Sequence, residues 1–113
     1  MHELSIVEGL MGIIKETAQE HGLARVTRVK LRIGEMRQVV PDALRFAFEV
    51  TGKDTVAEGA DIVITDVPTK AHCNECGADF SVEEFCFVCS ACGSSRIIVT
   101  EGKELYIDSL EGD

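Results

Sequence analysis

The chain has 113 residues, 45% of them hydrophobic, which suits one small domain or a domain carrying an insert. Its formal charge of −9 argues against nucleic-acid binding, which needs a basic footprint. The apolar runs fall far short of the ~18 residues a membrane-spanning helix requires, and the opening lacks the basic start of a signal peptide. Five cysteines without an export signal point to reduced thiols in the cytoplasm and to metal chemistry rather than disulfides.

In chain order, Ser5-Ile6-Val7-Glu8 fits a capping box and predicts a helix starting near Ser5. Ile6, Leu10, Ile13, Ile14, Thr17 and Ala18 recur at three- and four-residue steps as its apolar stripe, with Gly22 as the stop. Val26 to Ile33 alternates as a half-buried strand, with Thr27, Val29, Leu31 and Ile33 on one face and Arg28, Lys30 and Arg32 on the other. Arg25 to Arg45 carries six basic and two acidic side chains, so the strand's outer face is either a solvated surface or a dock for an acidic partner. Pro41 at the first position and Asp42 in the first turn predict a second helix, with Leu44, Ala47, Phe48 and Thr51 buried and Gly52 ending it. Asp61 to Val67 reads as a strand stopped by Pro68. Arg96 to Thr100 and Lys103 to Leu110 read as two more.

Between these lies the densest signal in the chain. Cys73-Asn-Glu-Cys76-Gly77 and Cys89-Ser-Ala-Cys92-Gly93 are two tight turns, each able to present two sulfurs on one side. A glycine after the second cysteine lets the backbone take positive φ. Four thiolates leave no open coordination position, which describes a structural site. Zinc suits it, although the same turns can hold a single iron. Cys86-Phe-Val-Cys89 is a competing pair, but only Cys92 is followed by glycine in the manner of Cys76. Cys86 is therefore expected to pack as a small apolar residue. A segment of this size cannot bury enough surface alone, so a metal is its expected staple.

The opening Met1-His2-Glu3 has its own chemistry. A free amine on Met1, the amide nitrogen of residue 2 and the imidazole of His2 can form fused chelate rings around one cation, a nitrogen-rich set that suits Ni(II) or Cu(II). Taken alone, a histidine at this position is more commonly an ordinary surface residue.

Met1-His2-Glu3, Ile33-Gly34-Glu35, the two cysteine turns and Gly102-Lys-Glu-Leu-Tyr-Ile together resemble the HypA family of nickel-insertion accessory proteins for [NiFe]-hydrogenases, over essentially the whole length. The resemblance implies an α+β fold: a small antiparallel or mixed three-stranded sheet with two helices, interrupted by an inserted zinc-ribbon-like four-cysteine module. Residues 1–67 and 98–113 would form the nickel-binding domain and 68–97 the zinc-binding domain. Zinc would be structural, held by Cys73, Cys76, Cys89 and Cys92. Nickel would be cargo, held by the Met1 amine, His2 and neighbouring backbone nitrogens, with Glu3 as a further candidate and Asp42 as a nickel-proximal one.

The resemblance further implies a cytoplasmic metallochaperone rather than an enzyme, a monomer or weak dimer. Its implied partners are the GTPase HypB and the hydrogenase large-subunit precursor, with urease maturation as a related task. Some relatives carry histidines after the cysteine turns; Gly77 and Gly93 stand there in this chain, leaving only His72 nearby. The competing readings are a zinc-ribbon interaction module without nickel transfer, and a redox protein with a rubredoxin-like iron or a reactive dithiol.

Overall fold

The computed structural model describes residues 3–113. Helix α1 (Glu3–Glu20) turns Val7, Leu10, Met11, Ile14 and Ala18 inward. It is already helical at Glu3, so Ser5 lies within the first turn and does not cap it. The buried stripe is also rotated from the expected one: Val7 and Met11 face the core, while Ile6 is half-buried and Ile13 is 52% exposed. The expected apolar set straddled two adjacent faces, and packing against the second helix selected one. The helix closes as predicted at Gly22, which has φ 66. There Leu23 N–H donates to Ala18 O at 2.8 Å and Gly22 N–H to Gln19 O at 3.3 Å, the paired bonds of a glycine-terminated helix.

Strand β1 (Val26–Gly34) is central, flanked by β2 (Asp61–Val67) in parallel and β6 (Leu105–Gly112) in antiparallel orientation. The sheet is therefore mixed and three-stranded. Its register shifts between Val26 and Arg28, which turns Thr27 outward and lets Val26 join the core in its place. Val29, Leu31 and Ile33 are buried as expected. On the basic face, Arg28 lies 3.2 Å from Glu111 and 3.6 Å from Asp61, so acidic side chains of both neighbouring strands flank it. A 3-10 turn (Glu35–Arg37) leads to helix α2 (Pro41–Gly52), which connects the two parallel strands and buries Leu44, Ala47, Phe48 and Gly52. Thr51 is only half-buried.

A second sheet holds β4 (Asp79–Ser81), β3 (Lys70–Cys73) and β5 (Ile97–Glu101), all antiparallel. The short β3 and β4 carry no legible alternation in sequence. The fold is thus α+β, with two helices and two three-stranded sheets. The molecule is long and narrow, 54 × 26 × 17 Å.

The chain passes from the first sheet to the second at Pro68–Thr69 and returns at Gly102–Glu104. β5 belongs to the second sheet. This neck is tightly built. Gly102 has φ 118, and a Cβ there would sit 2.7 Å from Thr69 Oγ1 and 2.8 Å from Thr69 Cα. A Cβ on Gly34 would overlap the Gly102 carbonyl. Gly34 N–H donates to Glu104 O at 2.7 Å, Met36 N–H to Gly102 O at 2.9 Å, and Arg37 Nε–H to Lys103 O at 2.8 Å.

Candidate metal centre

The second sheet ends in the two cysteine turns. Cys73 closes β3, and its N–H donates to Ala78 O at 2.8 Å, while Gly77 N–H returns to Cys73 O at 3.0 Å. The second turn repeats the pattern, with Cys89 N–H to Ser94 O and Gly93 N–H to Cys89 O, both at 2.8 Å. Gly77 and Gly93 have φ 77 and 74, the left-handed values that the sequence required of them. Asn74 N–H donates to Arg96 O at 2.8 Å and fastens the first turn to the start of β5.

These turns bring the Sγ atoms of Cys73, Cys76, Cys89 and Cys92 within 4.8 Å of one another. Cys73 and Cys92 approach to 3.6 Å across the gap, as do Cys76 and Cys89. A tetrahedron of sulfurs about 2.3 Å from a central zinc has edges of about 3.8 Å. The four sulfurs therefore lie at close to the spacing that a tetrathiolate ion needs. Cys73 and Cys89 are buried, and Cys76 and Cys92 lie toward solvent.

Backbone amides polarise the buried sulfurs. Cys76 N–H lies 3.5 Å from Cys73 Sγ, and the Ala91 and Cys92 amides each lie 3.4 Å from Cys89 Sγ. The Cys76 amide draws the Cys73 thiol below its usual value. The Cys92 amide, with that of Ala91, brings Cys89 down to about 6. For Cys92 the Ser94 amide pulls down, but burial and the three neighbouring sulfurs outweigh it and push the thiol up to about 12. Cys76 also ends raised: its Ala78 amide is outweighed by Cys89, Cys73 and burial. Four thiols this close cannot all ionise unaided, and a divalent cation removes that repulsion.

The family model described as "Hydrogenase/urease nickel incorporation, metallochaperone, hypA" matches residues 1–112. The chain belongs to the HypA family. Among relatives, the hydrogenase maturation factor HypA of Rhodobacter capsulatus is 44% identical over 111 residues, covering 98% of each chain. The hydrogenase maturation factor HybF of Klebsiella pneumoniae is 41% identical over the full length of both chains. The solution structure of the Ni metallochaperone HypA from Helicobacter pylori superposes with a TM-score of 0.73 at 30% identity, covering 99% of this chain and 97% of that one.

Against this HypA background the predicted site residues fall into two groups. The four cysteines converge and, among the described residues, form the group able to hold a metal ion. Met1 and His2 lie outside the described residues. Glu3 begins α1, and its Oε2 accepts the Val40 N–H at 3.3 Å. Asp42 is exposed in the first turn of α2, 3.9 Å from Arg45. Glu3 and Asp42 therefore both sit by the start of α2.

Cys86 is exposed, correcting the expectation that it packs as an apolar residue. It lies in a loop where Glu84 and Phe85 take φ 51 and 56 and hold Phe85 out in solvent. His72 points to Asp79, Nδ1 to Oδ1 2.7 Å, rather than joining the sulfurs. Sequence reasoning missed the neck. Its signal lay in Ile33-Gly34-Glu35 and Gly102-Lys103-Glu104, two motifs of the resemblance that touch each other here.

Proposed function

We propose that this chain is a nickel metallochaperone that binds Ni(II) at its amino terminus and delivers it for maturation of a [NiFe]-hydrogenase, with urease as a further recipient. One observation carries the reading: the nickel-incorporation family matches from residue 1, so Met1-His2-Glu3 falls within the matched region. The Met1 amine, the His2 imidazole and adjacent backbone nitrogens would hold the ion, near Glu3 and Asp42. Such a site, at a chain end, can release its ion while breaking little structure. Its affinity falls in acid because protons compete for the same nitrogens.

In this reading zinc is the resident ion of Cys73, Cys76, Cys89 and Cys92, and it supplies cross-linking rather than reactivity. The protein works in the cytoplasm, has no catalytic residues, and hands nickel on together with the GTPase HypB to the hydrogenase large-subunit precursor. Residues 1–67 begin the nickel domain. The zinc domain is residues 68–97, and residues 98–113 complete the nickel domain.

Equilibrium nickel titration of the untagged protein tests the proposal. His2→Ala should abolish tight nickel binding and leave one zinc per chain. Wild-type nickel affinity in that variant would overturn it.

A further inference from the structure

We propose that Glu3 is a positioning residue, whose carboxylate docks the first turn of α1 onto the start of α2 by capping that helix from outside. The proposal rests on the amino-terminal nickel reading only for its consequence, not for its geometry.

Helix α2 lacks a local cap. Its N-cap residue is Val40, which makes no side-chain capping bond. Pro41, Asp42 and Ala43 follow, so the third helical position, where a glutamate would reach back to the N-cap N–H, holds alanine. The Val40 N–H is taken instead by Glu3 Oε2 at 3.3 Å, from 37 positions upstream. A carboxylate at this end also meets the positive pole of the helix.

The receiving side is fixed independently. Met36 N–H is bound to the Gly102 carbonyl and Arg37 Nε–H to the Lys103 carbonyl. Gln38 then turns the chain in a left-handed conformation, φ 53, its N–H on Glu35 O at 3.2 Å. The start of α2 is thus anchored to the neck, and Glu3 is the group that is placed against it. The Val40 N–H occupies one acceptor position of that carboxylate. Glu3 then acts on cargo binding through this placement rather than as a ligand.

Glutamine separates this role from ligation, because its carbonyl oxygen accepts the same N–H but is a far poorer metal ligand than a carboxylate. Amide hydrogen exchange at Val40 is to be measured in the zinc-loaded, nickel-free full chain, with nickel affinity measured in parallel. Glu3→Ala should speed Val40 exchange about fivefold, the loss expected for one capping bond, while Glu3→Gln stays close to wild type. Nickel affinity should follow the same order. Unchanged Val40 exchange in Glu3→Ala overturns the clasp. Glu3→Gln losing nickel as severely as Glu3→Ala, with Val40 still protected, overturns it in favour of a ligating carboxylate. Absence of nickel binding in the wild type, with the Val40 effect intact, sinks the cargo reading and upholds the clasp.

Discussion

The two lobes are held together by different means. The core of the helical lobe is a continuous cluster of thirteen buried residues from Val7 to Ala57, drawn from both helices, β1 and the loop after α2. The ribbon lobe has nothing comparable: its buried apolar side chains are Ala71, Val82 and two of the sulfurs, Cys73 and Cys89. Ile98, Phe85 and Val88 are exposed. One lobe closes on hydrocarbon, and the other on four sulfurs able to hold an ion, because a three-stranded sheet of strands this short has little apolar burial to offset its chain entropy.

Removing the metal should break this comparison most severely. With a structural zinc contributing on the order of 10 kcal/mol in small modules, chelation or Cys73→Ala should unfold residues 70–101. The amide resonances of α1, β1 and α2 should stay dispersed in the same spectrum. A ribbon lobe that stays folded without metal would refute the division. Acid acts in the same direction. Free thiols are mostly protonated at neutral pH and a metal takes thiolates, so zinc uptake at pH 7 should release protons, as buffer-dependent calorimetry would read. Affinity should fall as pH is lowered.

A core substitution probes the other lobe. Leu31, on the central strand and fully buried, should cost about 2–5 kcal/mol as Leu31→Ala, seen as a lower denaturation midpoint. Zinc content should remain one per chain. Loss of zinc at temperatures where the variant is still folded would show that the lobes are a single cooperative unit.

What the sequence made legible follows the same contrast. The cysteine turns were readable to the residue because their chemistry fixes spacing, glycine and φ together, as Gly77 and Gly93 show. Helix α2 and β2 were readable because Pro41, Gly52 and Pro68 punctuate them. The face of α1 was not: Ile6 and Ile13 are as apolar as Val7 and Met11, and packing against α2 and the sheet selects between them. β3 and β4, four and three residues long, are too short for a period and exist because the turns and β5 pair them. The neck was hidden because it is made by glycines 68 positions apart, whose need for close approach has no local pattern. Met1 and His2 were flagged by chemistry and lie outside the described residues.

The smallest expected effect sits where the lobes join. Gly102 takes φ 118 with its carbonyl on Met36 and its Cα packed over Thr69. An alanine there meets both a disfavoured backbone region and the Thr69 backbone, which cannot swing aside as a side chain could. Gly102→Ala should therefore cost roughly 1–3 kcal/mol. The loss should appear at the neck rather than in either core: faster exchange at Gly34 and Met36, whose N–H groups bind Glu104 and Gly102, with the cysteine turns and Leu31 unaffected. Because the same residues anchor the start of α2, exchange at Val40 should rise as well. If Gly34 and Met36 stay protected while the cysteine turns loosen, the joint belongs to the ribbon alone, and the two lobes are less separate than their cores suggest.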